Sequence, residues 1–157
     1  MRLTIIGSGD AFGSGGRFNF LLETAKGKLL VDCGASSLVA LKAQGLDPNE
    51  VDGIVLSHLH GDHFGALPFL LMDAQFLMRR ERPLLIAGPP GTRTRLDQSL
   101  EVFFPRSSTN KWRFSWKVME IGVARPTEVL GHCVTTTDYS GDTEWWTRSS
   151  PPALISL

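Results

Sequence analysis

The sequence predicts one mixed α/β (α+β) domain in which mixed sheets are flanked by helices. Short apolar runs, each long enough for a buried strand, alternate with amphipathic stretches along most of the 157 residues. A histidine-rich segment follows one of these apolar runs directly, and a long apolar helix follows the segment. This order predicts layers of strands and helices with a polar site at the end of a strand.

The composition is that of an ordinary globular protein. Sixteen basic residues balance sixteen acidic residues, and 42% of the chain is hydrophobic. The near-zero net charge gives no overall electrostatic case for nucleic-acid binding. The two cysteines are expected to be free thiols in a reducing compartment. No apolar run reaches the ~20 residues that a membrane span needs, and no signal peptide is visible. A cytoplasmic protein without a membrane partner is therefore expected.

The elements before the histidine segment follow from their apolar patterns. Residues 3–6 predict a short strand, and residues 17–23 and 28–31 predict a hairpin. Residues 36–44 predict a helix that Gly45 can end. The glycine-rich loop after the first strand does not fit a dinucleotide-binding pattern, because more glycines follow where a helix should begin.

The elements after the histidine segment are predicted in the same way. Residues 64–79 are too apolar for an exposed helix and predict one helix pressed against a sheet. Residues 84–87 predict a buried strand and residues 92–104 an amphipathic helix. Alternating aromatic and polar residues over 111–121 predict a half-buried antiparallel strand, and residues 128–137 predict a further strand. The aromatic stripe would also suit stacking on nucleic-acid bases, although core packing explains it better.

The segment Ser-His-Leu-His-Gly-Asp-His-Phe-Gly carries most of the chemical information. Four candidate metal ligands, His58, His60, Asp62 and His63, fall within six positions after the strand predicted over 53–56. His58 and His60 are two residues apart, so their rings project to the same side of an extended chain. Imidazole and carboxylate groups suit zinc, and also iron or manganese.

This segment resembles the His-x-His-x-Asp-His signature of the metallo-β-lactamase fold hydrolases. The resemblance extends to Trp145 and implies a partial αβ/βα sandwich with up to two zinc ions, for which iron or manganese could substitute. It also implies hydrolysis of a phosphodiester or ester by a metal-bound hydroxide. The glycine-rich start and the Ser-Gly-Asp-Thr segment at 140–143 resemble the ribonuclease Z-like, phosphodiesterase branch. The implied partner is a small-molecule or nucleic-acid substrate.

The resemblance implies a role for each candidate ligand. His58, His60 and Asp142 would hold one metal, and Asp62, His63 and Asp142 would hold the other. Asp62 would also be the catalytic residue, as the group that accepts a proton from the attacking water.

Two further residues have competing interpretations. The resemblance implies that Asp32 accepts hydrogen bonds that orient the histidine loop. An aspartate that satisfies backbone donors at a helix start explains the same residue about equally well. His132 is the only candidate for another ligand histidine before Asp142, but it precedes Asp142 by just ten positions and reads more simply as an ordinary strand histidine.

The end of the chain departs from the family pattern. Residues 146–157 show no helix or strand period, so they form an atypical tail. The same nucleotides, read out of frame from Trp145, could encode the continuation that the family usually shows, which predicts a frameshift near Trp146. Together with an internal deletion after Thr137, this predicts an incomplete domain over 1–157. The alternative to an active hydrolase is therefore an impaired or inactive remnant that binds metal or a partner. Exposed sheet edges in such a remnant would favour self-association into a homo-oligomer.

Overall fold

The computed structural model describes residues 1–9, 19–122 and 125–135. The strands in these residues are β1 (Arg2–Gly7), β2 (Asn19–Thr24), β3 (Gly27–Val31), β4 (Gly53–Val55), β5 (Leu84–Gly88), β6 (Trp116–Glu120), β7 (Thr127–Val129) and β8 (His132–Val134). The helices are α1 (Ser37–Ala43), α2 (Gly61–Phe64), α3 (Leu67–Phe76) and α4 (Thr92–Phe103). Short 3₁₀ turns span Pro48–Glu50 and Ser107–Thr109.

Six of these strands form one mixed sheet in the order β1-β2-β3-β4-β5-β6. The pairs β1–β2 and β2–β3 are antiparallel, whereas β3–β4, β4–β5 and β5–β6 are parallel. Each parallel pair is joined through a helix, because the chain has to return to the same end of the sheet. The carboxyl ends of β3, β4 and β5 therefore meet at one edge. A mixed sheet flanked by helices confirms the predicted fold class.

The alternation of the strands divides the core between the two faces of the sheet. Toward α1, α3 and α4, the strands contribute a set of buried residues: Leu21, Leu30, Ile54 and Ile86. Toward the β7–β8 hairpin they contribute another: Leu22, Leu29, Val55 and Ala87. Because β3 and β4 are buried on both faces, their sequences read as continuous apolar runs.

The prediction of one continuous helix over 64–79 is wrong. The structure places Phe64 in α2 and then begins α3 at Leu67. Between them the amide of Ala66 donates to the carbonyl of Cys33 at 3.0 Å, outside any helix. This bond to the loop after β3 interrupts the helical ladder, and α3 ends at Phe76.

The strand observed in the region 111–121 is shorter than predicted and pairs parallel, not antiparallel, to its neighbour. Only Trp116–Glu120 forms β6, and it pairs parallel to β5. Phe114 is buried, but it precedes the strand. The prediction of an antiparallel strand was wrong because α4 carries the chain back along the sheet before β6 begins.

The strand predicted over 128–137 is a two-stranded hairpin. β7 and β8 pair antiparallel around Leu130 and Gly131, whose φ angles are 49° and 77°. Two successive residues with positive φ make a tight hairpin turn whose twist matches the strands. Leucine rarely adopts this conformation, so Gly131 was the one residue of this pair that indicated a turn in the sequence.

Several predictions fall outside the described residues or are not tested by them. Most of the glycine-rich loop, Asp142 and the tail over 146–157 lie outside the described ranges. Leu3 and Ile5 on the edge strand β1 are 56% and 60% exposed, and self-association stays a prediction. Within the described ranges, none of the helices has the length and apolar character needed to cross a membrane.

Candidate metal centre

The histidine segment leaves the sheet at the carboxyl end of β4. The amide of Leu56 still donates to the carbonyl of Ala87 beside it at 2.8 Å, so the sheet holds the chain up to this point. After the extended His60, the amides of His63 and Phe64 both donate to the His60 carbonyl at 3.0 Å and start α2. The loop is therefore fixed by a strand on one side and a helix on the other.

The structure brings the side chains of this segment together. One ligand atom from each of His58, Asp62 and His63 lies within 4.8 Å of the other two. The rings of His58 and His63 are 4.0 Å apart between centroids, and the ring of His60 lies 4.8 Å from that of His58 at 81°. The same-side projection of His58 and His60 that the spacing predicts is consistent with this arrangement.

The backbone after β3 is bonded to this loop. The amide of Cys33 donates to the carbonyl of His63 at 2.6 Å, and the Cys33 carbonyl accepts from Ala66. Burial, with a contribution from the Asp32 carboxylate, raises the pKa of the Cys33 thiol. The side chain is therefore a packed, protonated thiol, and it is the backbone of Cys33 that positions the site.

Asp32 lies beneath the histidine loop and is 3% exposed. Its Oδ1 accepts from the amide of Ser57 at 2.8 Å, and its Oδ2 accepts from Nδ1 of His63 at 2.7 Å. The backbone of Asp32 has a φ of 60°, which costs a residue other than glycine roughly 1–2 kcal/mol. The hydrogen bonds with Ser57 and His63 offset that strain and hold the carboxylate toward the loop.

Ser57 is the residue of the candidate site that the sequence interpretation missed. Its Oγ lies 2.9 and 3.0 Å from the two oxygens of Asp32 and 3.0 Å from Nδ1 of His58. Its position directly before the first histidine of the segment was the available signal. A hydroxyl at this position can contact both the Asp32 carboxylate and the His58 ring.

The imidazole of His58 is held neutral. Burial is the main cause that lowers its pKa, from 6.5 to about 4, and the neighbouring His63 adds to the effect. At neutral pH the ring of His58 is therefore uncharged and has one unprotonated nitrogen that can bind a metal.

This lowered pKa predicts a pH dependence for the stability of the metal-free protein. Since the folded-state pKa lies below the unfolded value, His58 contributes stability at pH above 6.5 that is lost as the pH falls toward 4. Urea unfolding in EDTA at several pH values should show this loss, and His58→Gln should reduce its slope. His132→Gln is the matched control, and equal slopes in the two variants would contradict the prediction.

The structure does not bring His132 to this cluster. Its Nε2 lies 3.1 Å from Oγ1 of Thr24, beside the turn that leads into β3. That turn is at the amino end of β3, whereas the histidine loop lies at the carboxyl end of β4, parallel to it. His132 is thus a histidine of β8 that lies near the amino end of β3, at the opposite ends of the strands from the histidine loop. This geometry argues against its use as a ligand with His58.

The donor set of the cluster fits zinc. Ligand atoms bound at ~2.0–2.2 Å to one ion are at most about 4.4 Å apart, so His58, Asp62 and His63 need only a small inward movement. Neutral imidazoles and a carboxylate are also ligands that iron and manganese accept.

Comparison with known protein families gives a match along most of the chain. A sequence model of the anti-Pycsar protein Apyc1 matches residues 1–134. Ribonuclease Z of Methanocaldococcus jannaschii is 32% identical over 128 residues, which cover 80% of this chain and 38% of that protein. The anti-Pycsar protein Apyc1 of Saccharibacillus brassicae is 38% identical over 89 residues, 55% of this chain and 36% of that protein. The chain thus spans well under half the length of these relatives.

Solved structures show the same similarity. Human tRNase Z, short form, superposes with a TM-score of 0.66 at 30% identity, over 78% of this chain and 46% of that chain. The metallo-β-lactamase fold protein YhfI from Bacillus subtilis has a TM-score of 0.63 at 24% identity, over 85% of this chain and 50% of that chain. The second likeness shows the fold alone.

Proposed function

This chain belongs to the family of the anti-Pycsar protein Apyc1, and we propose that it is a metal-dependent hydrolase of phosphodiester or ester bonds. The observation that carries the proposal is the convergence of His58, Asp62 and His63 at the end of β4, with His60 beside them. Its fold is that of the metallo-β-lactamase fold proteins.

His58 and His60 would hold one metal, Asp62 and His63 would hold the other, and Asp142 would add a carboxylate shared by both ions. When bound, zinc would lower the pKa of water toward neutrality and polarise the scissile group. The chain's own part is to orient these groups. Asp32 holds Nδ1 of His63, which leaves Nε2 of that ring facing Asp62 at 3.3 Å. Asp62 would accept the proton that the attacking water loses.

The names of the relatives support one class of substrate. The proteins with the matches described above include ribonuclease Z and human tRNase Z, and these names support a phosphodiester, in a nucleic acid or a smaller molecule. The two free thiols, Cys33 and Cys133, support a reducing location such as the cytoplasm.

A second candidate function is a metal-binding domain without turnover. The position of His132 favours it, because the described residues then supply no ligand beyond those of the histidine loop.

Metal analysis of the purified full chain separates these functions. After dialysis against zinc and gel filtration, we expect at least one tightly bound ion per chain, together with hydrolysis of bis(p-nitrophenyl) phosphate. His58→Ala should weaken zinc binding by at least ~10–100-fold, the loss typical for groups outside the coordination sphere. His132→Ala, at the opposite edge of the sheet, should leave zinc binding unchanged.

The other outcomes are equally informative. Retained zinc without hydrolysis would overturn the hydrolase and support the metal-binding domain. Absence of retained zinc, or equal zinc affinity in wild type and His58→Ala, would overturn both functions.

A further inference from the structure

Ser57 lies between the buried carboxylate of Asp32 and two imidazoles. Its Oγ is 2.9 Å from Oδ1 of Asp32, 3.0 Å from Nδ1 of His58 and 3.4 Å from Nδ1 of His63. The amide of Ser57 also donates to Oδ1 of Asp32 at 2.8 Å. Backbone and side chain of one residue are therefore both fixed by the same carboxylate.

The number of available protons determines which atoms donate and which accept hydrogen bonds in this network. A serine hydroxyl has one proton to donate and two lone pairs, whereas an ionised carboxylate can only accept. The Ser57 proton therefore goes to Asp32, and the lone pairs of Oγ are left facing Nδ1 of His58. That nitrogen has to carry a proton to make the 3.0 Å contact favourable.

The same reasoning applies directly to His63. Its Nδ1 lies 2.7 Å from Oδ2 of Asp32, so this nitrogen donates to the carboxylate. His63 is thus oriented by Asp32 itself, while the hydroxyl of Ser57 links Asp32 to His58.

We propose that Ser57 is a positioning residue that relays the hydrogen bonding of Asp32 to His58, so that a single carboxylate sets the tautomers of two imidazoles. Both rings then carry their proton on Nδ1 and leave Nε2 unprotonated. An imidazole binds a metal through its unprotonated ring nitrogen, which in both of these rings is then Nε2. Only the effect on metal affinity rests on the proposed function; the tautomer of His58 does not.

Nuclear magnetic resonance of the zinc-free full chain tests the relay. With ¹⁵N-labelled histidine, the ring nitrogen shifts report which nitrogen is protonated. Wild type and Ser57→Thr should both show His58 with its proton on Nδ1. Ser57→Ala should shift His58 toward the Nε2-protonated form while His63 stays unchanged. Ser99→Ala, which removes a hydroxyl that donates to the Leu96 carbonyl at 2.9 Å, is the control and should change neither ring.

Zinc affinity gives an independent measurement. In competition with a chromophoric chelator, Ser57→Ala should bind zinc ~10–100-fold more weakly than wild type, and Ser57→Thr should recover most of the loss. A hydroxyl that only packs would leave the His58 tautomer unchanged in Ser57→Ala, and that result would overturn the proposal. So would a wild-type His58 protonated on Nε2. If the tautomer shifts as expected but wild type binds no zinc, the relay stands and the proposed function fails.

Discussion

Replacing Arg80 with methionine is expected to lower the free energy of unfolding by about 3 kcal/mol or more. The Arg80 side chain is 2% exposed and donates to four carbonyls at 2.7–2.8 Å: those of Asn49, Val51, Arg82 and Pro83. Each buried acceptor that loses its donor costs about 1–3 kcal/mol unless water reaches it. The guanidinium thus joins the segment before β4 to the segment before β5.

Arg82→Met is the matched control for this prediction. Arg82 is two residues away, its side chain is 55% exposed, and it pairs with Asp52. Exposed ion pairs contribute about 0–1 kcal/mol, so this variant should unfold close to wild type. Urea unfolding followed by circular dichroism measures both variants. Equal losses of stability would show that the buried guanidinium is not the source of the effect.

The second large effect is expected at Asp32. Asp32→Asn should weaken zinc binding by about 100-fold, the upper end of the loss for a group that orients metal ligands. We expect this large loss of zinc affinity because Asp32 accepts hydrogen bonds from His63 and from both the amide and the hydroxyl of Ser57. Asparagine also tolerates the positive φ of this position, so the backbone should keep its conformation.

Asp52→Asn provides the comparison for Asp32→Asn. The Asp52 carboxylate accepts from the amide of Lys28 at 2.9 Å, beside the amino end of β3. It is a partly buried carboxylate far from the histidine loop, so its loss should leave zinc affinity unchanged. Chelator competition measures both variants, and wild-type affinity in Asp32→Asn would contradict the role given to this carboxylate.

The sequence was sufficient to locate most of the sheet and the cluster, for identifiable reasons. Strands such as β4 and β5 are buried on both faces, so an unbroken apolar run marks each of them. The loop ligands are separated by few residues, so spacing alone brings His58 and His60 near each other. Local patterns of this kind do not depend on the rest of the fold.

The features that could not be predicted depend on contacts between distant segments. The break between α2 and α3 depends on the bond from Ala66 to Cys33, which is distant in sequence. The direction of β6 depends on the path of α4, and the β7–β8 turn places Leu130 in a backbone conformation that leucine seldom adopts. The role of Ser57 depends on Asp32, which is 25 residues earlier. Of these features, patterns of neighbouring residues indicate only part of the β7–β8 turn, through Gly131.

X-ray absorption at the zinc edge of the zinc-loaded full chain tests the central claim most directly. If the histidine loop holds the metal, the spectrum should show nitrogen and oxygen ligands at ~2.0–2.2 Å with the outer-shell scattering of imidazole rings. His58→Ala should reduce the imidazole contribution, whereas His132→Ala should leave it unchanged. A sulfur shell at ~2.3 Å, or a spectrum without imidazole, would place the metal elsewhere and contradict the assignment of this site.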